Sequence, residues 1–487
     1  MDLTNLKFGL PAAEREIAKG LTEYFVESES YERIKNREKT IILGNRGTGK
    51  SAIFKVLSDR EKANRNIVLE LSPEEYSYEI LSTSLKAESE GAWNKHSAFA
   101  AAWKYLIYML IMKAVTREGK KYKRGPSANI YNFLRDHQVG FQDNPIAVLI
   151  SYLKRIEGIK IGSYEASMRT RELTSLYKLE EIKPLLEDLK DVCKHKKVLV
   201  MIDELDQGWD SSEDAKAFVS GLFQAALSIN QLTENITVYI SLRQELYDSI
   251  PAIYDDAQKY RDVIEIISWD EETLKKLISN RIRYFVPDLH LASDEDAWNA
   301  IFSEQIQYRK SKSFNYLIDR TLYRPRELIQ FCSDVLAQNS GKKYPMDYEQ
   351  INVAESRYSE DRTKDIASEY RFQMPALNSV FEIFRGRQYS MSREDLEYIC
   401  LSIVEGEARV AQDASAWVKG QDHEFLIEAL WLVGFLKAYA VGGVKARRRS
   451  GSSYIGSYQV SNLNLGNITR FQVHPMFRTY LGMKESK

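Results

Sequence analysis

Short apolar runs punctuate this chain at 40–43, 66–71, 198–202, 236–242 and 262–267. All five read as strands, and the wholly apolar run at 198–202 reads as one covered on both faces of a sheet. Between and after them the spacing turns helical. It predicts a helix after residue 50, helices over 215–230 and 271–285, and longer ones over 324–340 and 348–370. Residues 12–36 and most of 73–197 are also helical in pattern. The most apolar of these stretches, FAAAWKYLIYMLIMKAV (99–115), is interrupted by Lys104 and Lys113 and is too short to span a membrane. It reads as a buried amphipathic helix. Strands alternating with helices predict an α/β, doubly wound parallel sheet. The run from 271 to about 345 predicts an all-helical lid, and turn signals in GKKYPMDY (341–348) mark its end. Beyond it, helices at 376–386, 392–404 and 423–437 precede two strands, 436–441 and 453–461. Helices followed by a hairpin predict a winged-helix-like domain. The expected division is therefore 1–270 with a helical insertion at about 73–197, then 271–345, then 346–487.

The chemistry sits at strand ends. Residues 41–51, IILGNRGTGKS, pass from an apolar run into a glycine-rich turn and then a helix. This is the pattern G-x-x-x-x-G-K-[ST] in a strand–loop–helix setting. Glycines let backbone N–H groups turn toward phosphate oxygens, and the helix N-terminus favours an anion. The predicted phosphate-binding residues are Gly44, Asn45, Arg46, Gly47, Thr48, Gly49, Lys50, Ser51 and Ala52. Lys50 reaches the β- and γ-phosphates, and the Ser51 hydroxyl ligates Mg²⁺. The second strand of interest, VLVMI (198–202), runs into Asp203 and Glu204. Asp203 suits the Mg²⁺ shell, and Glu204 suits the orientation and deprotonation of an attacking water. Asp206 is close by and reads equally as a supporting group, a partner contact or a solvated acid.

Charge and cysteines narrow the setting. The formal net charge is −1, which argues against a globally basic nucleic-acid coater but leaves room for a local patch. One such patch joins the last two predicted strands and holds Lys445, Arg447, Arg448 and Arg449. It is a phosphate-contacting wing, a solvated hairpin tip or a surface for an acidic protein. The three cysteines, Cys193, Cys332 and Cys400, form neither a disulfide framework nor zinc spacing, so a reducing cytoplasm is the simplest location. The first twenty residues lack an apolar core of signal-peptide length.

With these residues in view, the chain resembles AAA+/STAND-like bacterial P-loop ATPases. More narrowly it is similar to a group linked to mobile elements and anti-phage defence. The resemblance rests on GNRGTGKSAI (44–53), MIDELDQGWD (201–210), VYISLRQELYDSI (238–250), KYRDVIEIISWDEETLKKLISNRI (259–282), RPRELIQF (324–331) and FQVHPMFRTYLG (471–482). It implies a core, helical lid and winged helix arranged as in Orc1/Cdc6 initiator ATPases, with ATP and Mg²⁺ as ligands. It also implies that Arg243, at the end of the strand after Asp203, senses the γ-phosphate, with a structural salt bridge as the alternative. Arg326, with Arg324 as its rival, falls where a second sensor arginine sits. Arg261 is the candidate arginine finger if subunits form a ring. The expected protein is an ATP-hydrolysing switch or motor, homo-oligomeric, working with a protein effector such as a nuclease or on DNA, without membrane contact. A nucleotide-loaded scaffold and an initiator-like DNA-binding ATPase are the alternatives. Asn45 and Arg46 depart from the smaller or apolar residues common at those loop positions, and no nuclease motif is visible.

Overall fold

The computed structural model describes residues 3, 6–10, 13–72, 95–117, 124–136, 179–206, 209, 211–250, 260–306, 311–339, 343–439, 454–460 and 463–485. The chain forms two compact units. One comprises residues 27–45 and 50–267; the other comprises 1–26, 46–49 and 268–487.

The first unit is built on five strands: β1 (Ile41–Leu43), β2 (Ile67–Leu71), β3 (Val198–Ile202), β4 (Ile236–Leu242) and β5 (Ile264–Ile266). They pair in parallel in the order β2-β3-β4-β1-β5. The three central strands β3, β4 and β1 are buried at every residue, which is why their sequences are apolar runs and not alternations. Parallel pairing brings the carboxyl ends of all three to one edge of the sheet. Leu43 is in register with Leu242, and Ile202 with Ile240. Gly44, Arg243 and the Asp203–Glu204 pair therefore leave neighbouring strands at nearly the same level.

The apolar helix Lys95–Val115 belongs to the hydrophobic core of this same unit. It crosses the helix Glu213–Asn230 at Gly221, where an added Cβ would lie 2.6 Å from the Cβ of Phe99. Glycine permits that close crossing. The Trp103 indole N–H donates to the Phe218 carbonyl at 3.2 Å, satisfying a buried polar atom in an otherwise apolar contact. Lys104 is half-buried on the same helix, and burial lowers its pKa. No helix among the described residues is long and apolar enough to cross a membrane.

The second unit contains the helices Glu271–Phe285, Asp294–Ile301, Ser313–Ile318, Pro325–Gln338 and Tyr348–Glu369, with a small pairing of β6 (Gln305–Ile306) and β7 (Ser311–Lys312). N-terminal residues Leu3, Leu6, Phe8 and Val26 enter the core of these helices. Several buried charged groups are paired there. Arg281 donates to the Phe8 carbonyl at 2.6 Å and faces Glu16 at 3.5 Å. Arg320 meets Glu355 at 2.9 Å, and Glu355 also accepts from Tyr316 and Thr479, both at 2.6 Å.

The same unit ends in helices Leu377–Glu382, Arg393–Val404, Gln412–Val418 and His423–Leu432, with strands β8 (Ser390–Ser392), β9 (Leu436–Tyr439), β10 (Tyr454–Ile455) and β11 (Arg470–Val473). These strands form an antiparallel sheet in the order β10-β9-β11-β8. Several local expectations change here. The helix expected over 376–386 stops at Glu382, and that over 423–437 stops at Leu432, before Gly434 takes a φ of 79°. The strand expected over 453–461 pairs only at Tyr454 and Ile455. Strands β8 and β11 and the helix Gln412–Val418 were not expected. Lys445, Arg447, Arg448 and Arg449 lie outside the described residues.

His474 supplies a pH dependence. Its ring is fully buried; Nδ1 accepts from the Met476 N–H at 3.2 Å, and Nε2 lies 3.1 Å from the Tyr458 hydroxyl. Burial, reinforced by Lys437, Arg478 and Arg320, holds its pKa well below the ordinary value. In the unfolded chain the ring titrates near pH 6.5. Above that pH neither state takes the proton. Below it only the unfolded chain does, so stability falls as pH falls, by about 1.4 kcal/mol per unit. Between pH 6.5 and 5.5 the loss is about 1 kcal/mol, so thermal melts should drop by about 2 °C beyond any drop in His474→Gln. Parallel melting curves for the two proteins would refute this.

Candidate nucleotide site

The glycine-rich loop follows β1, and the helix Lys50–Ala63 follows the loop. Within the α/β unit, Lys50 Nζ donates to the carbonyls of Gly44 at 2.5 Å and Asn45 at 3.1 Å. Burial pulls its pKa down, while Glu245, Asp203 and Asp206 pull it up; the net direction is down. A buried ammonium whose hydrogen bonds go to its own loop carbonyls has much to gain from phosphate oxygens. Ser51 and Ala52 occupy the first turn of the helix.

Asp203 follows the last residue of β3. Its Oδ1 accepts from the Glu204 N–H at 2.9 Å. Glu204 takes a left-handed φ of 60°, a conformation that costs a non-glycine residue roughly 1–2 kcal/mol and that clusters at functional sites. Arg243 caps the short helix Gln244–Asp248 after β4. Its guanidinium is ion-paired with Asp206 and lies 3.8 Å from Glu245. Of the readings open for Asp206, the structure makes it the partner of Arg243. Arg261 is exposed, three residues before the edge strand β5, and is not part of this cluster.

The middle of the loop, Arg46–Gly49, packs within the other unit. Arg324 Nη1 donates to the Arg46 carbonyl at 3.2 Å, the Arg326 N–H to the Gly47 carbonyl at 3.3 Å, and the Trp269 indole N–H to the Thr48 carbonyl at 2.8 Å. In a trans peptide the next N–H points opposite to the carbonyl. The N–H groups of Gly47, Thr48 and Gly49 therefore face away from these three donors, as a phosphate cradle requires. Gly47 and Gly49 have φ values of 86° and 97°, and a Cβ on Gly47 would lie 3.0 Å from the Cβ of Arg326. Glycine is needed at 47 on both counts.

The two candidate sensor arginines differ sharply. Arg324 is buried, with Nη1 at 2.7 Å from Glu369 and Nε at 3.8 Å from Glu327. Burial opposes its charge, but Glu369 and Glu327 outweigh it and hold the guanidinium ionised. Arg326 is only half-buried. Sequence reasoning missed Trp269 and Glu245. Glu245 had a signal, an acid just past the strand end that carries Arg243. Trp269 had none, since its bond spans 221 residues.

The residues fit ATP and Mg²⁺. Ser51 and Asp203 offer the hard oxygen donors that Mg²⁺ prefers, and Lys50 of the same unit offers a cation suited to phosphate.

Comparisons with known proteins give partial matches. A family model described as ORC-CDC6-like matches residues 7–70, spanning β1, the loop and most of β2. The fold is that of an AAA+-like P-loop ATPase. A second family model, the FunZ-associated C-terminal helical domain, matches residues 272–367. Among curated proteins, the transposon gamma-delta 80.3 kDa protein of Escherichia coli (strain K12) is 22% identical over 490 residues, covering 98% of this chain. The chain spans 66% of that relative's length. A solved structure of the Aeropyrum pernix ORC2 protein, in ADPNP–ADP complexes, covers 98% of this chain and 96% of its own at 11% identity, with a TM-score of 0.29. That likeness is loose, and the fold assignment rests on the sheet order and the loop.

Proposed function

We propose that this protein is an ATP- and Mg²⁺-dependent switch or motor that hydrolyses the β–γ phosphoanhydride. The observation that supports it most is the convergence of Lys50, Asp203, Glu204 and Arg243 at the carboxyl edge of three adjacent strands. Magnesium supplies charge neutralisation at the phosphates. Lys50 and the loop N–H groups bind the phosphates, Ser51 and Asp203 hold the metal, and Glu204 orients and deprotonates water. Arg243 exchanges its Asp206 partner for the γ-phosphate, and Arg326 reports loop occupancy to the helical part of the chain through its bond to Gly47. Arg261 serves as a finger in a homo-oligomer.

The four-stranded sheet with its preceding helices is read as a winged-helix-like module. The relative's name places that protein with a transposon, which supports a mobile-element setting here, in the cytoplasm, for defence or for DNA transactions. A protein effector such as a nuclease would do any cutting. Mass photometry and ATP binding on wild type and Lys50→Ala test the core of this reading. Lys50→Ala should lose ATP binding by at least a hundredfold and any ATP-dependent gain in mass. Equal behaviour of the two proteins would refute it.

A further inference from the structure

Nine large apolar side chains are exposed among the described residues, and six of them fall between 372 and 439: Phe372, Tyr398, Leu401, Phe425, Leu432 and Tyr439. Two belong to the helix His423–Leu432, where Phe425 is 37% and Leu432 56% exposed. With Glu428 between them they form a stripe at i, i+3 and i+7, the outward face of a helix whose other side is core. Beside the stripe lies an open groove of about 580 Å³, lined by Phe425, Glu428, Trp431 and Leu432 from the helix and by Met374 and Leu465. A soluble protein does not usually leave such a patch uncovered without a use for it.

Charge points to the occupant. Residues 421–435 contain no lysine or arginine; Glu424 and Glu428 lie on the helix and Asp422 caps its N-terminus. From Arg393 to Leu432 there are nine Asp or Glu against three Lys or Arg. One of those three, Arg393, is already paired with Glu397 and Glu424. A nucleic-acid backbone would meet repulsion on this face. We propose that this groove docks a segment of a partner protein carrying two or three apolar anchors flanked by Lys or Arg. Helix-in-groove recognition of this kind takes its affinity from the anchors and its orientation from the flanking charges. The proposal is independent of the nucleotide reading. It assigns the helix that precedes β9 to protein recognition.

The test uses the full chain and two fluorescein-labelled, 16-residue amphipathic helical peptides. They share one Leu/Phe pattern; one carries Lys and Arg on its flanks, the other Glu. Anisotropy should show the basic peptide binding at least tenfold tighter. Phe425→Ser combined with Leu432→Ser should weaken it at least tenfold, and Glu428→Lys should narrow the preference. All these residues are exposed, so melting temperatures should stay within a degree or two and report that folding is intact. Equal affinity for both peptides, or binding indifferent to the double serine variant, overturns the proposal. So does competition by a 20-base-pair DNA duplex that depends on Phe425 and Leu432, which would make the face a nucleic-acid surface. Self-association in sedimentation velocity that Leu432→Ser abolishes would likewise replace the partner with a second copy.

Discussion

Glu204→Gln is expected to lower steady-state phosphate release by roughly 10²–10⁴-fold while leaving ATP affinity within a few-fold of wild type. The substitution keeps the side chain's size and removes the proton acceptor. The left-handed turn at 204 and the bond from its backbone N–H to the Asp203 carboxylate do not involve the Glu204 side chain, so they survive the change. Binding should also survive, since Lys50, Ser51 and Asp203 are untouched. Mass photometry with ATP and Mg²⁺ should then show assemblies that persist after wild type has turned over its nucleotide. A nucleotide-loaded scaffold predicts the opposite, with no turnover to lose. Unchanged phosphate release in Glu204→Gln would remove this residue from the mechanism, and Asp206, already beside Arg243, would become the next acid to test.

The second large effect is on stability. Arg324→Ala should destabilise the 268–487 part by about 3–5 kcal/mol, because it strands two carboxylates in the interior. Side-chain exposure is 5% for Arg324, 4% for Glu327 and 3% for Glu369, so water cannot replace the lost partner. Burial already holds the Glu327 carboxyl above its usual pKa with the arginine present. Arg326→Ala is the control: it removes a half-buried side chain, spares the backbone N–H that bonds Gly47, and should cost under about 1 kcal/mol. Denaturant unfolding followed by circular dichroism separates the two. Arg324→Met combined with Glu369→Leu should recover much of the loss, since apolar packing can replace a buried ion pair. Similar costs for Arg324→Ala and Arg326→Ala would show that the buried triad does not anchor this unit.

That contrast marks where the sequence was legible. β1, β3 and β4 are buried at every residue, so they leave short, mostly apolar runs bounded by polar residues. The loop was legible because phosphate chemistry demands fixed residue types at fixed spacing. Choosing between Arg324 and Arg326 was not possible from RPRELI alone. The partner that buries and pairs Arg324, Glu369, is 45 residues away. β8, with the sequence Ser-Met-Ser, and the two-residue β10 have too little apolar pattern to stand out. Their pairing is decided by neighbours such as β11, which carries Phe471 and Val473 into the core. Trp269 was illegible for the same reason, being defined by a carbonyl on a distant loop.

The sheet order also has a consequence for how the chain is made. β1 lies between β4 and β5, and both are synthesised long after it; 193 residues separate Leu43 from Ile236. At roughly 5–20 residues per second, the ribosome takes about 10–40 s to deliver the first of those neighbours. For that interval Ile41, Ile42 and Leu43 have emerged with neither edge paired, and the glycine loop has none of the three donors that hold its carbonyls. The phosphate site is thus encoded early and completed late. A nascent chain halted before residue 236 carries Lys50, Ser51, Asp203 and Glu204 yet lacks Arg243, Arg326 and both strands that flank β1.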